Sequence, residues 1–265
     1  MCPFLREQYG NPSSMYAFAR IPHDAVERAR AQVASLIGAA RPDEIVFTSC
    51  GTESDNAAIF GALDANPTRT HVVMSAVEHP AVFNLKETLE RHGVSVSLVP
   101  VSGQGSILLD ELAAAITPET SLVSIMWANN ETGVVMPIAE ACSLAHERGV
   151  LFHTDAVQAV GKLPVNVRDA GVDMLSLSGH KIHAPKGVGA LYVRRGTRIR
   201  PFFVGGHQEH GRRAGTENVS GIVGLGAACA LAGEFLEDEV TRVKALRDRL
   251  ERGLCAAIPK SHPNG

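Results

Sequence analysis

The sequence predicts an α/β fold in three α/β/α layers, a mostly parallel sheet with helices on both faces. Two observations carry this. Short, continuously apolar runs rich in β-branched residues alternate with amphipathic segments of 10 to 15 residues through most of the chain, the pattern of strands buried on both sides and joined by helices. Polar and ionisable residues follow five of those runs directly, which places them together at the carboxyl edge of one sheet, where such folds bind ligands.

Taken in order, residues 24 to 38 carry apolar side chains at helical spacing, with Asp24 as an expected N-cap and Gly38 as the stop. EIVFTS (44–49) reads as a strand, TESDNAAIFGAL (52–63) as a helix, THVVMSAV (70–77) as a strand and AVFNLKETLERHG (81–93) as a helix closed by glycine. VSVSLVPV, SLVSIMWA, VLFHTD, VDMLSLS and GALYVR continue the strands, and the segments around LDELAAAI and IAEACSLAHERG the helices. We expect one domain over residues 1–217 and a helical segment over 218–265, the latter leading toward a small domain that this chain lacks. The charged stretch EDEVTRVKALRDRLERGL ends in IPKSHPNG without another packed element, so further sequence is expected to follow it.

Composition narrows the class. The chain has 265 residues, 45% hydrophobic and 20% charged, with a net charge of −3, as in a folded globular enzyme. No basic field points to nucleic acid or to an anionic membrane. No apolar stretch is long enough to span a bilayer and no leader is visible, so a cytoplasmic setting is the expectation. Cys2, Cys50, Cys142, Cys229 and Cys255 show neither disulfide pairing nor metal-ligand spacing and read as reduced thiols.

The polar residues at the sheet edge define the chemistry. Lys181, in SLSGHKIHAPKGVGALYV, and Asp155, in VLFHTDAVQAVGK, each follow or end a strand. An amine can form a Schiff base with an aldehyde cofactor and a buried carboxylate can hold a pyridine nitrogen protonated, so together they suggest pyridoxal phosphate chemistry. Asp155 could instead cap a helix beginning at Ala156, and Lys181 could be solvated. The tight glycine-rich return after Lys181 argues that it is held at the sheet edge, where desolvation would favour the free amine; Lys186 is the competing amine. Ser49-Cys50-Gly51-Thr52 joins a strand to a helix and could hold a phosphate on free backbone N–H groups, or be an ordinary capped turn. Glu53 and Asp55, expected in the first helical turn, would repel a phosphate somewhat while favouring the helix dipole. His79 is either a capping histidine or an aromatic plate over a flat cofactor ring with a nitrogen for proton transfer. Asn130, Gln158, Ser178 and His180 reach the same edge. VGGHQEHGRRAGTENV carries Arg212, Arg213 and Thr216 ahead of a helix and suits an anion site or a subunit contact; His207 and His210 there lack the further ligands of a metal site.

As an ordered set, GNPSS (10–14), FTSCGTESDN, VEHPAV, MWANNETG, FHTDAVQAVGK, SLSGHKIHAPKGVGALY and GGHQEHGRRAGTENV closely resemble the cysteine desulfurases of the class V pyridoxal-phosphate aminotransferase family, especially the branch associated with nitrogenase maturation. The resemblance implies a fold type I large domain working as a homodimer with pyridoxal 5'-phosphate. It implies that Lys181 bonds the cofactor, Asp155 pairs with its ring nitrogen, Gln158 with its phenolate oxygen, and His79 stacks on the ring. It further implies that Gly51, Thr52, Ser178 and His180 hold the phosphate, that Thr216 reaches the phosphate of the neighbouring subunit, and that Asn130 contacts cofactor and substrate. The family's opening strand and its C-terminal small domain, with a persulfide-forming cysteine and a substrate-binding arginine, have no matching positions; neither Cys50 nor Cys255 has the expected surroundings.

The function so implied is removal of sulfur from L-cysteine, leaving alanine and a persulfide for an iron–sulfur scaffold protein, in a form shortened at both ends. The alternatives are a non-catalytic cofactor-binding or dimerisation module, a related aminotransferase, or a selenocysteine lyase.

Overall fold

The computed structural model describes residues 1–264. A short helix α1 (Cys2–Arg6) and an irregular stretch lead into α2 (Arg20–Leu36). This helix begins four residues before the expected Asp24 because Pro22 sits in its first turn, where a missing N–H costs nothing. Gly38, at φ +68°, ends the segment in the left-handed conformation. There follow β1 (Ile45–Thr48), α3 (Gly51–Ala65), β2 (His71–Ser75), the one-turn α4 (Pro80–Phe83), α5 (Leu85–Arg91), β3 (Ser95–Val99), α6 (Leu109–Ala115), β4 (Thr120–Ser124), α7 (Ile138–Glu147), β5 (Leu151–Asp155), α8 (Val167–Ala170), β6 (Met174–Ser178) and β7 (Gly189–Val193). The helix expected over 81–93 is therefore two pieces, broken at Asn84.

The seven strands form one sheet in the order β1-β7-β6-β5-β4-β2-β3. β7 runs antiparallel to both of its neighbours, β1 and β6, and the remaining pairs are parallel. All strands except β7 therefore point their carboxyl ends the same way. Order reverses between β2 and β4, so a crevice opens above these two ends. β4 is shorter than the expected run to residue 128. Beyond Ser124 the Met126 N–H leaves the ladder for the Glu78 carboxyl, at 2.8 Å, and Trp127 N–H goes to the Asp155 carbonyl, also at 2.8 Å.

Alternation along the strands sorts two cores. Ile45, Phe47, Val73, Val123, Phe152, Leu175 and Tyr192 face α2, α6, α7 and α8, while Val46, Val72, Met74, Leu122, Met174 and Leu191 face α3 and α5. The second face is not apolar throughout. Toward the carboxyl edge its positions become Ser124, His153, Asp155, Ser176 and Ser178, all buried, and α3 covers them with its polar first turns.

The helix α9 (Val219–Glu234), which lies beyond residue 217, packs on α2 with Val219, Ile222, Leu225 and Cys229 in the first core. Gly226 permits the approach, since a Cβ there would lie 2.6 Å from Ala29 Cα. The change of character comes later. After Phe235, α10 (Leu236–Asp238), a π turn and α11 (Lys244–Ala257) bury no residue, and among the described residues 258–264 there is no further helix or strand.

Candidate active site

Five strand ends and the turn after β6 surround one cavity of about 290 Å³, lined by Cys50, Gly51, Thr52, Asp55, His79, Ala81, Met126, Asn130, Asp155, Val157, Gln158, Ser178, His180 and Lys181. Nine of the ten residues expected from the sequence line it. Thr216 does not: it borders a separate hollow with Arg213, Gly215 and Glu217.

At the β1–α3 junction Cys50 is extended (φ −174°, ψ 173°) and no side chain caps α3, which leaves the first-turn N–H groups and the helix dipole for an anion. Gly51 is required by space. A Cβ there would meet Val157 Cγ2 at 2.9 Å and Ser178 Cβ at 3.3 Å, so the turn sits directly against β6. The opposition expected from Glu53 is removed by its partners. It accepts from Ser49 N–H (2.8 Å) and pairs with Arg213 (2.8 Å); burial opposes its ionisation, but these donors win and hold it below the usual carboxylate range.

Asp155 ends β5, is buried, and accepts the Val157 N–H on Oδ1 at 2.9 Å; no helix begins at Ala156, so it closes a turn rather than capping a helix. Burial pushes its carboxyl up, against the pull of Val157, His79 and Lys181. Its Oδ2 has no hydrogen-bond partner among the described residues and faces the cavity it lines.

His79 commits one ring nitrogen locally. Its Nδ1 accepts the Ala81 N–H at 3.1 Å as the N-cap of α4, so the neutral ring carries its proton on Nε2, free for the cavity. Gln158 Oε1 accepts from Lys162 at 2.8 Å, leaving its amide N–H₂ to donate elsewhere. Ser178 Oγ and His180 Nδ1 are linked at 2.9 Å, and burial, with Lys181 and Lys186 nearby, lowers the His180 pKa. Asn130 holds Glu131 at 2.7 Å. Lys181 lies in the tight turn Gly179–Ile182, between β6 and the left-handed His183. It is exposed, so this chain by itself does not supply the desolvation expected of that amine. Lys186 lies outside the cavity.

The matching family model, aminotransferase class-V, spans residues 1–260. The chain belongs to the class-V aminotransferase family. Cysteine desulfurase 2 of Trichormus variabilis is 57% identical over the whole chain, and cysteine desulfurase NifS of Azotobacter vinelandii is 52% identical over the whole chain. In both, the chain spans 66% of the relative's own length. A solved NifS-like protein superposes with a TM-score of 0.91 at 39% identity, covering 96% of this chain and 70% of that one. Class-V enzymes and these desulfurases depend on pyridoxal 5'-phosphate, and the cavity fits that group: a cradle at Gly51 with free amides for a phosphate, an unpartnered Asp155 oxygen for a ring N–H, an aromatic His79 and an amine.

A polar layer lies below the cavity, in which sequence reasoning assigned Asp55 only the role of opposing a phosphate and assigned Glu78 and His153 none. Asp55, 1% exposed, has an Oδ1 without any hydrogen-bond partner. Glu78 accepts from Ser75 Oγ and Met126 N–H, and burial pushes it up to about 8. His153, fully buried between Ser124 Oγ and Ser176 Oγ at 2.9 Å each, is pushed down to about 3 by burial. The signal was available: polar residues at every second position of HTD and LSLS mark a polar strip on one face of otherwise apolar strands.

Proposed function

We propose that the chain is the cofactor-binding part of a cysteine desulfurase that takes sulfur from L-cysteine and passes it to an iron–sulfur scaffold protein, as a homodimer in the cytoplasm. The observation that carries the reading is the meeting of Lys181 and Asp155, distant in sequence, on one cavity with the Gly51 cradle. The desulfurase relatives support the reaction, the separate position of Thr216 fits a contact made to a second copy, and five unpaired cysteines fit a reducing compartment.

When bound, pyridoxal phosphate supplies an electron-withdrawing ring that accepts the electron pair released at the substrate α-carbon. The protein's part is positional and protic. Gly51 and Thr52 amides, Ser178 and His180 hold the phosphate. Asp155 would hold the ring N–H on its free oxygen, and Gln158 would donate to the ring oxygen. Lys181 would present its amine to the cofactor aldehyde. His79 would cover the ring and offer Nε2–H for proton transfer. Asn130 borders the substrate side. Cys142 and Cys229 do not serve as the sulfur-accepting thiol: both are buried, and burial pushes each up to about 12.

The assay is sulfide release from L-cysteine by the 265-residue chain loaded with pyridoxal phosphate under reducing conditions. Release establishes a self-sufficient desulfurase. Cofactor binding without release favours the second reading, a cofactor-binding module.

A further inference from the structure

The cavity floor holds more carboxyl groups than it can ionise. Asp55, from the second turn of α3, is fully enclosed. Around it stand Cys50 from the N-cap of its own helix, Glu78 from the turn after β2, His153 and Asp155 from β5, and Ser176 from β6. None of these is a permanent cation. Among the described residues the only basic group within ion-pair reach is His153 Nε2, 3.7 Å from Asp55 Oδ1, and its two nitrogens are already taken by Ser124 and Ser176. A carboxylate buried without a cation or a full set of donors is prohibitively costly, whereas an undissociated acid is not.

We propose that Asp55 is a positioning residue that works as an undissociated acid: it packs its neutral carboxyl against Ser176 and His153 and leaves Asp155 as the single charge facing the cofactor. The assignment rests on the pyridoxal phosphate reading of the cavity. Its logic is charge matching. The ring nitrogen brings one positive charge, and Asp155, which has the Val157 N–H and the free oxygen, is the member of the pair built to meet it. His153 lies two residues before Asp155 on the same face of β5, so the layer that Asp55 closes also sets the orientation of the strand end that carries Asp155. Burial first, and the Asp155 charge second, push Asp55 well above the ordinary carboxylate range, in the direction the geometry requires.

The experiment compares wild type, Asp55→Asn and Asp55→Ala in the full chain by three readouts. In the chain without cofactor, infrared spectroscopy reads the C=O stretch of a protonated carboxylic acid at neutral pH; D55N should lose the Asp55 part of that band. In denaturant, the midpoint of D55N relative to wild type should rise as pH increases from 5 to 8, because wild type alone must keep or lose a buried proton. With pyridoxal phosphate, followed through quenching of the single tryptophan, Trp127, affinity should fall about tenfold or more in D55A and be restored to within about threefold in D55N. A D55N variant that binds as poorly as D55A, or whose infrared band matches wild type, overturns the proposal. Failure of the wild type itself to bind the cofactor would refute the cofactor reading instead, and the infrared and denaturation arms would still report the proton on Asp55.

Discussion

Lys181 and Asp155 meet the cavity from different directions, one on the turn after β6 and the other at the tip of β5. Their roles separate by substitution. Lys181→Ala should abolish the borohydride-reducible adduct formed with pyridoxal phosphate; retention of that adduct would transfer the role to Lys186. Asp155→Ala should keep the adduct but slow exchange of the L-cysteine α-proton with solvent by about 10²-fold or more, since it removes a preorganised charge aimed at the ring. Exchange at the wild-type rate would remove Asp155 from the mechanism. At this scale the sequence was a good guide wherever a residue type is rare in its setting, as with an acid ending an apolar strand. It was a poor guide to His79 and Asp155 as alternatives of capping or chemistry, because each side chain has two polar atoms and its local bond occupies only one of them.

Between elements, the turn before α3 and the α2–α9 contact show how little space decides placement. Glycine at 51 brings α3 against β6 so that the helix N-terminus and Ser178 border one cavity. Glycine at 226 brings α9 onto α2 and does not itself line that cavity. Gly226→Val should therefore destabilise the chain by about 1–3 kcal/mol through overpacking, read as a lower denaturant midpoint, while pyridoxal phosphate affinity at saturating folded protein stays unchanged. An unaltered midpoint would mean that α9 is loosely docked. Periodicity located these helices, but their edges were set by contacts remote in sequence. β4 stops early because Glu78 takes the Met126 N–H, and α2 starts early because Pro22 fits a first turn.

Across the whole molecule, buried titratable groups tie stability to pH. Glu78 ionises near 4.5 when unfolded and near 8 when folded, burial being the cause. The folded state thus keeps a proton that the unfolded state gives up, and the stability this contributes is complete below about pH 4.5 and is lost as pH rises toward 8. Glu78→Gln should gain on wild type across that window by up to about 1.4 kcal/mol per pH unit, measured by denaturant unfolding of the cofactor-free chain; a constant gap would show that Glu78 is ionised in the fold. His153 acts in the opposite direction: held neutral down to about pH 3 by burial, it costs stability as pH falls below 6.5.

The order of strands and helices, the carboxyl-edge location of the site and the cofactor chemistry were all determined by the sequence alone, because hydrophobic period and the end of a strand are local properties that each residue run carries within itself. Tertiary structure alone decided that Asp55, His153 and Glu78 lie beneath Asp155, that Thr216 stays out of this chain's own cavity, and that Lys181 is exposed. Those facts depend on which strand lies beside which and on what α3 covers. Burial and the charges brought near by the fold, absent from any single segment, govern where the protons sit.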